Sequence, residues 1–266
     1  MSQLSVDTGH HVITDIKAYH ADKKDSQYLQ DIVPRLKKRL HKQGFIWQNI
    51  VTDTGYSDGE NYSFLEKQNL TSYIPPHGTY KGGPEGFLYD KEQDYYLCPQ
   101  GNIVPFKKVF QDYRTGSKKK EYRISSKKCK VCPMRNSCLG KTAQEKKFSV
   151  TYYREQYERN NKRIYSKRGR YMKSKWQSTV EPVFGTLTQF MGLRKINTIG
   201  IKQANKVMHM AAIAYNIKKY LKFSSKVVTS EAQSLTTTIN HQIQQLLSEI
   251  SCFKQSKNIP FLALQS

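Results

Sequence analysis

Acidic residues are scarce in this chain: 21 Asp and Glu stand against 44 Lys and Arg, a net charge of +23. An excess of that size excludes the near-neutral surface of an ordinary soluble protein. It points to a polyanionic partner, nucleic acid first and an anionic membrane second. No run of about 18 apolar residues occurs, which weakens the membrane reading. The opening MSQLSVDTGHHVITDI has no basic segment followed by an apolar core, so no signal peptide is expected and nothing points to export. Cysteine is sparse too, with five in 266 residues and three of them clustered. That pattern suggests metal ligation in a reducing compartment rather than a disulfide framework. The hydrophobic share of 37% is low for a globular protein, yet 18 Tyr and 11 Phe are enough to build a core.

The first part, residues 1–76, reads as hairpin, helix, strand, helix, strand. QLSVDTGHHVITDIKAYH gives two short strands around the Thr8-Gly9-His10 turn. From Ser26 to Lys42 the apolar residues Leu29, Ile32, Val33, Leu36 and Leu40 fall at helical spacing. FIWQNIVTD (45–53) reads as a buried strand that ends in the turn signature Asp-Thr-Gly-Tyr. Ser57-Asp58-Gly59-Glu60 opens a short helix, and Thr71 to Ile74 gives a further strand before Pro75-Pro76. This is an α/β layout. Residues 77–150 change texture: Gly, Lys and Tyr predominate, with short β-like pieces, so an insertion with its own small core is expected. Residues 151–222 read as a basic helix, a Glu-bearing segment and a last apolar helix. The tail, 223–266, is Ser/Thr/Gln-rich and is expected to be poorly ordered, though 239–250 could form a helix.

Several residues are candidates for chemistry. Asp53 closes an apolar strand, where an Asp is either a turn residue or a carboxylate at the carboxyl end of a sheet, the usual place for an α/β site. Two converging carboxylates would make a hard-oxygen site for Mg²⁺, and Glu181 is the natural second. It lies in STVEPVFG, where Ser178 and Glu181 fit a capping box that Pro182 spoils. Either Ser178 is the cap, or Glu181 is, or the helix runs through and kinks at Pro182. Cys98, Cys129, Cys132 and Cys138 could close around a structural zinc; buried thiols acting as small hydrophobes are the alternative. Around Glu181, Arg163, Lys167, Arg168, Arg170, Lys173, Lys175, Arg194 and Lys195 read as a phosphate track, with Tyr152, Tyr153, Tyr157, Tyr165, Tyr171 and Trp176 interleaved.

The ordered series VDTGHHVIT, DSQYL, TDTGYSDGENYSFL, YIPP, CxxCPxxxxC, TVEPVFGTL and AAIAYNIKKYL resembles DDE-type transposases of bacterial insertion sequences, over about residues 3–222. The resemblance implies a ribonuclease H-like mixed sheet with flanking helices and a β-rich, cysteine-containing insertion. It implies DNA cleavage and strand transfer with Mg²⁺ or Mn²⁺ held by three acids, Asp53 matching the second and Glu181 the last. It also implies duplex DNA as partner, a homodimer on that DNA, and a cytoplasmic place at the bacterial nucleoid. In the family the first acid lies on a strand before VDTGHHVIT, and this chain begins about there. Neither Asp7 nor Asp15 is assigned in its place. Gln177 and Thr188 stand where relatives often carry Tyr and Lys. A truncated or split transposase is therefore expected, completed by a separately encoded N-terminal half or inactive alone. The rival readings are a non-catalytic DNA-binding remnant that inhibits transposition and, more weakly, an RNA-processing nuclease.

Overall fold

The computed structural model describes residues 2–78, 80, 82–224, 258–259 and 262–265. β1 (Ser2–Asp7) and β2 (Ile13–Ala18) form a hairpin, and a 3-10 turn (Asp25–Gln27) leads into α1 (Leu29–Lys42). β3 (Ile46–Trp47), β4 (Asn49–Thr52), a second 3-10 turn (Thr54–Tyr56), α2 (Gly59–Lys67) and β5 (Thr71–Tyr73) follow. Next come β6 (Leu88–Asp90), β7 (Tyr95–Leu97), β8 (Ile103–Gln111) and β9 (Lys118–Arg123), then α3 (Ser126–Lys130), α4 (Arg135–Cys138) and β10 (Lys147–Thr151). The chain continues through α5 (Arg154–Ile164), α6 (Lys167–Gly185), a π-helical turn (Thr186–Phe190) and α7 (Ile201–Ser224) to β11 (Asn258–Ile259) and β12 (Leu262–Gln265). The protein is mixed α/β. It divides into one compact unit of residues 1–57, 64–75 and 162–266, and another of 58–63 and 76–161.

The first unit is built on a sheet of order β2-β1-β12-β4-β5. β1 runs antiparallel to β2 and to β12, while β12, β4 and β5 are mutually parallel. The position of β12 differs from expectation, because the tail is expected to be poorly ordered. Facing edges of β1 and β4 each present a row of backbone donors and acceptors, and an extended segment between them satisfies both rows at once. Residues 225–257, with the helix expected at 239–250 and Cys252, lie outside the described residues.

Alternation along β1 sends Leu4 and Val6 to one face, where Val180, Val183 and Leu187 pack with Met208, Ala212 and Tyr215 of α7. α1 buries the stripe Leu29, Ile32, Val33, Leu36 and Leu40. Asp15 ties α1 to β2: its carboxylate is 7% exposed and accepts from Arg35 and Arg39, each at 2.6 Å. β2 is the edge strand, and α7 covers it with side chains that mimic a further strand. Asn216 exchanges two hydrogen bonds with the Ile13 backbone, both 2.9 Å. Asn205 does the same at Ala18 (2.8 and 3.2 Å), and His209 meets the Ile16 carbonyl at 3.0 Å. Pairing of this kind blunts an edge that could otherwise template association.

The second unit has a fully antiparallel sheet of order β10-β9-β8-β7-β6. Its core is aromatic: Tyr96, Tyr122 and Phe148 meet edge to face or stacked, with centroids 4.8 to 5.8 Å apart. Two short helices, α3 and α4, sit at the cysteines, where no helical period is legible; at five and four residues they are too short to display one. Asp94 accepts from Tyr89 (2.8 Å), Lys120 (2.8 Å) and Tyr122. Burial pushes its carboxyl up, but hydrogen bonds from Lys120, Tyr122 and Tyr89 outweigh that and hold it below the usual range. A carboxyl with a depressed folded value stabilises the fold above the unfolded value, about pH 4, and loses that contribution as pH falls through the folded one. Urea unfolding followed from pH 7 into that acid window is expected to show a smaller loss of stability for Asp94→Asn than for the unchanged protein. Equal losses would remove Asp94 from the account.

Candidate active site and nucleic-acid interface

β4 is buried along Ile50, Val51 and Thr52 and delivers Asp53 to its carboxyl end. There Asp53 caps the 3-10 turn, its Oδ1 accepting the Gly55 N–H at 2.9 Å. The turn role and the strand-end role thus coexist in one side chain, since a carboxylate with one oxygen on an amide keeps lone pairs for more.

A second carboxylate comes to the same place from a residue the sequence reading did not single out. Asp25 opens the 3-10 turn before α1. α1 leads by way of β3 into β4, so the entry to α1 lies near the exit from β4. A Cβ placed on Gly55 would stand 3.0 Å from Asp25 Oδ2 and 3.0 Å from Asp53 Oδ1, so twice that distance bounds the separation of the two oxygens. A glycine here is what lets both acids approach one turn. Gln3, 2% exposed, donates from Nε2 to Asp25 Oδ1 at 2.9 Å, and its Oε1 is buried with no hydrogen-bond partner among the described residues. Burial, then the Asp53 and Asp25 charges, raise Tyr56 well above its ordinary value, so its hydroxyl stays protonated. In the sequence, Asp25 looks like any acid in a first helical turn.

β12 adds one more group. Leu264 pairs with Thr52, so Gln265, which pairs with Leu4, stands level with Asp53. Its Oε1 is likewise buried without a hydrogen-bond partner among the described residues. The two acids nearest VDTGHHVIT lie elsewhere. Asp7 pairs with Leu262, at the opposite end of β12, and accepts from the His10 N–H at 2.7 Å. Asp15 is the carboxylate clamped by Arg35 and Arg39.

Glu181 sits inside α6, which runs unbroken from Lys167 to Gly185 with Pro182 within it. Ser178 caps nothing; its hydroxyl donates to the Lys175 carbonyl at 3.0 Å. Of the alternatives for STVEPVFG, the continuous helix is the one formed. Tertiary burial of Thr179, Val180 and Val183 on the sheet holds the helix through its proline. Glu181 is exposed and is the single acid of α6. Among the described residues, no three His, Cys, Asp or Glu side chains gather closely enough to hold a metal ion, so Glu181 does not join Asp25 and Asp53 in such a group.

The expected phosphate track separates into parts. Lys167, Arg168, Arg170 and Lys173 are exposed along α6, and Arg194 and Lys195 are exposed after the π-helical turn. Lys175 is half-buried. It lowers the His11 imidazole, though burial and Lys219 act more strongly there. Arg163 turns inward, donating to Ser72 Oγ at 3.0 Å and the Ser72 carbonyl at 3.2 Å, with Glu66 at 3.8 Å. Of the interleaved aromatics, Tyr165 and Tyr171 are exposed, whereas Trp176 packs against the cluster of Val51, Tyr73 and Met172. Tyr157 stacks on Tyr80 at 5.2 Å and is a core group of the second unit.

All four described cysteines are free thiols. Cys129 is buried in the aromatic cluster, with Cys98 packed against it. The alternative given for them, small hydrophobes in an insertion core, fits that packing. A zinc centre finds no support, because no group of three or more ligands forms among the described residues.

Residues 97–221 match the family model of the transposase DDE domain. Over this segment the chain is similar to DDE-type transposases. Within it lie Glu181, the four described cysteines and every residue of the basic track; Asp25 and Asp53 precede it. No curated protein and no solved structure matches the chain significantly. Among the described residues, no helix is long and apolar enough to cross a membrane.

Proposed function

We propose that this transposase acts by metal-dependent DNA cleavage and strand transfer, with Asp53 and Glu181 as family acids and α6 as the DNA-facing helix. The observation that carries the reading is the transposase segment on a helix whose exposed side is basic, beside a sheet that ends in Asp53. Hard carboxylate oxygens on a rigid strand end suit Mg²⁺ or Mn²⁺. Such an ion, when bound, supplies Lewis acidity at a phosphoryl oxygen and lowers the pKa of bound water. Lys167, Arg168, Arg170 and Lys173 neutralise phosphates and hold the strand in register, while Arg194 and Lys195 extend the contact past the π-helical turn. Tyr56 stays protonated and buried beside Asp53. Ribonuclease H-like topology is part of the proposal, supported by parallel β12, β4 and β5 with antiparallel β1 and β2 beside them. So is completion by a second copy or a separate polypeptide, since the group level with Asp53 on β12 is the amide of Gln265 rather than an acid.

Duplex DNA binding by this chain is expected to weaken steeply with salt, and Arg170→Ala and Lys173→Ala are each expected to reduce the log–log salt slope by about one. With Mg²⁺ or Mn²⁺, nicking of supercoiled DNA by the chain alone is expected to be weak or absent. Any nicking seen is expected to vanish in Asp53→Ala. Binding that ignores salt and both α6 variants would sink the DNA reading. Firm DNA binding with no metal-dependent cleavage under any pairing of chains favours the non-catalytic inhibitor.

A further inference from the structure

We propose that the tip of the β8–β9 hairpin, carrying Tyr113 and Arg114, enters the major groove of duplex DNA as a second contact besides α6. The inference rests on the DNA reading for its partner, not for the shape or charge of the hairpin. Shape comes first. β7 pairs with β8 only from Ile103 to Pro105, and β10 reaches β9 no further than Lys119 in the ladder. β8 and β9 pair on to Gln111 and Lys118, so the closing turn, residues 112–117, has no strand on either side. Two strands about 4.8 Å apart fit a groove about 12 Å wide, and about three residues of strand span its depth of roughly 8.5 Å. The turn is also held rigid. Asp112 Oδ1 accepts the Arg114 N–H at 2.9 Å and the Thr115 N–H at 3.2 Å, the Gly116 N–H donates to the Asp112 carbonyl at 2.7 Å, and the Asp112 N–H to the Ser117 carbonyl at 2.9 Å. On this fixed frame Tyr113 is 100% exposed and Arg114 is exposed beside it. A turn so fully bonded, with its aromatic ring presented wholly to solvent, has its side chains preorganised for something outside the unit.

Charge selects the partner. From Ile103 to Arg123 there are seven Lys and Arg against two acids. Both acids are already matched, Asp112 by Lys119 and Glu121 by Lys147. Lys120 serves Asp94 and Arg123 serves Glu145. That leaves Lys107, Lys108, Arg114 and Lys118 exposed, with no ion pair among the described residues. An acidic protein surface would answer the charge, but the narrow tip with a Tyr and an Arg at its end fits a groove lined by phosphates better than a flat partner. Lys107, Lys108 and Lys118 stand back along the strands, where they meet the phosphates of the groove walls, and Arg114 reaches base edges or the far wall. Single strands bind on aromatic platforms along a basic groove, and a lone ring on a projecting turn is not one.

The probe is a fluorescent 30-base-pair duplex of mixed sequence, titrated with the full chain by anisotropy across a salt series without divalent metal. The triple variant Lys107→Gln, Lys108→Gln, Lys118→Gln is expected to melt normally, because all three side chains are exposed. It is expected to lower the log–log salt slope by about three. Tyr113→Ser is expected to weaken duplex binding at least about fivefold with the slope unchanged, since the ring carries no charge. A slope unaltered by the triple variant overturns the proposal, as does a duplex affinity indifferent to Tyr113→Ser. Tighter binding of the corresponding single strand, lost in Tyr113→Ser, overturns the groove in favour of stacking. If the hairpin variants change nothing while Arg170→Ala and Lys173→Ala each lower the slope, the hairpin falls and the DNA reading of α6 stands. If the hairpin variants act as expected while the α6 variants do nothing and no metal-dependent cleavage is found, the hairpin stands and the cleavage reading falls.

Discussion

Replacing Gly169 with alanine is expected to destabilise the protein by about 3 kcal/mol, at the upper end of what overpacking costs. Helix propensity argues the other way. Gly169 lies in the first turn of α6, and alanine is favoured over glycine in a helix by about 1 kcal/mol. Geometry decides the sign. A Cβ at this position would sit 2.2 Å from the Arg163 carbonyl oxygen and 2.3 Å from that of Ile164, both backbone atoms at the end of α5. Neither can swing aside as a side chain tip would. The joint is further fixed by Ser166, whose hydroxyl accepts the Gly169 N–H at 3.0 Å and donates to the Arg163 carbonyl at 2.6 Å. Relief requires α5 and α6 to part, and that shifts Arg163 off Ser72. Gly185 is the internal control: it ends α6 with nothing within 4 Å of its added Cβ, so Gly185→Ala is expected to be neutral or mildly stabilising. Thermal unfolding should separate the two, with a loss of roughly 6–12 °C for Gly169→Ala in a chain of this size. A Gly169→Ala protein as stable as its parent would show that the α5–α6 joint is looser than its carbonyl contacts require.

What could be read from the sequence follows a physical line between local and non-local causes. The strand before Asp53, the stripe of α1 and the hairpin at Thr8-Gly9-His10 come from alternation, helical spacing and turn chemistry, which act within a few residues. The continuous α6 was one of three readings of STVEPVFG. What decided it was the burial of Val180 and Val183 under β1, an interaction across more than a hundred and seventy positions that no local rule contains. Arg163 illustrates the same limit on charge: in the sequence it is one more cation in a basic run, and in the fold it serves Ser72 and Glu66. Asp25 is the sharper case. Its meeting with Asp53 depends on α1 returning the chain to the sheet so that a helix entry faces a strand exit. Its meeting with Gln3 depends on β1 lying two strands from β4. Family resemblance pointed to Asp53 and Glu181 because those acids sit in recognisable motifs. Asp25 sits in the quoted DSQYL with nothing to mark it. The segment 262–265 is the extreme: LALQ carries a weak β signal in a polar tail, and only the two open edges flanking it give it a place.

Ala263→Pro tests that place, and a loss of about 2 kcal/mol or more is expected, roughly 4–8 °C in thermal midpoint. Ala263 pairs with Val6 on one side and Val51 on the other. Proline is tolerated at a sheet edge, where its missing N–H would have faced water. Between two strands there is no such side. Whichever neighbour the Ala263 N–H serves loses a hydrogen bond, and its carbonyl is left buried without a donor. The damage is not confined to the tail. β12 is what links the antiparallel pair of β1 and β2 to the parallel pair of β4 and β5, so loosening it frees both of its neighbours. Amide hydrogen exchange is expected to rise at Leu4 to Val6 and at Ile50 to Thr52. Unchanged exchange at both flanking strands, with an unchanged midpoint, would mean that the sheet closes without its last strand. The carboxyl end of β4 would then owe its geometry to the Gly55 turn alone.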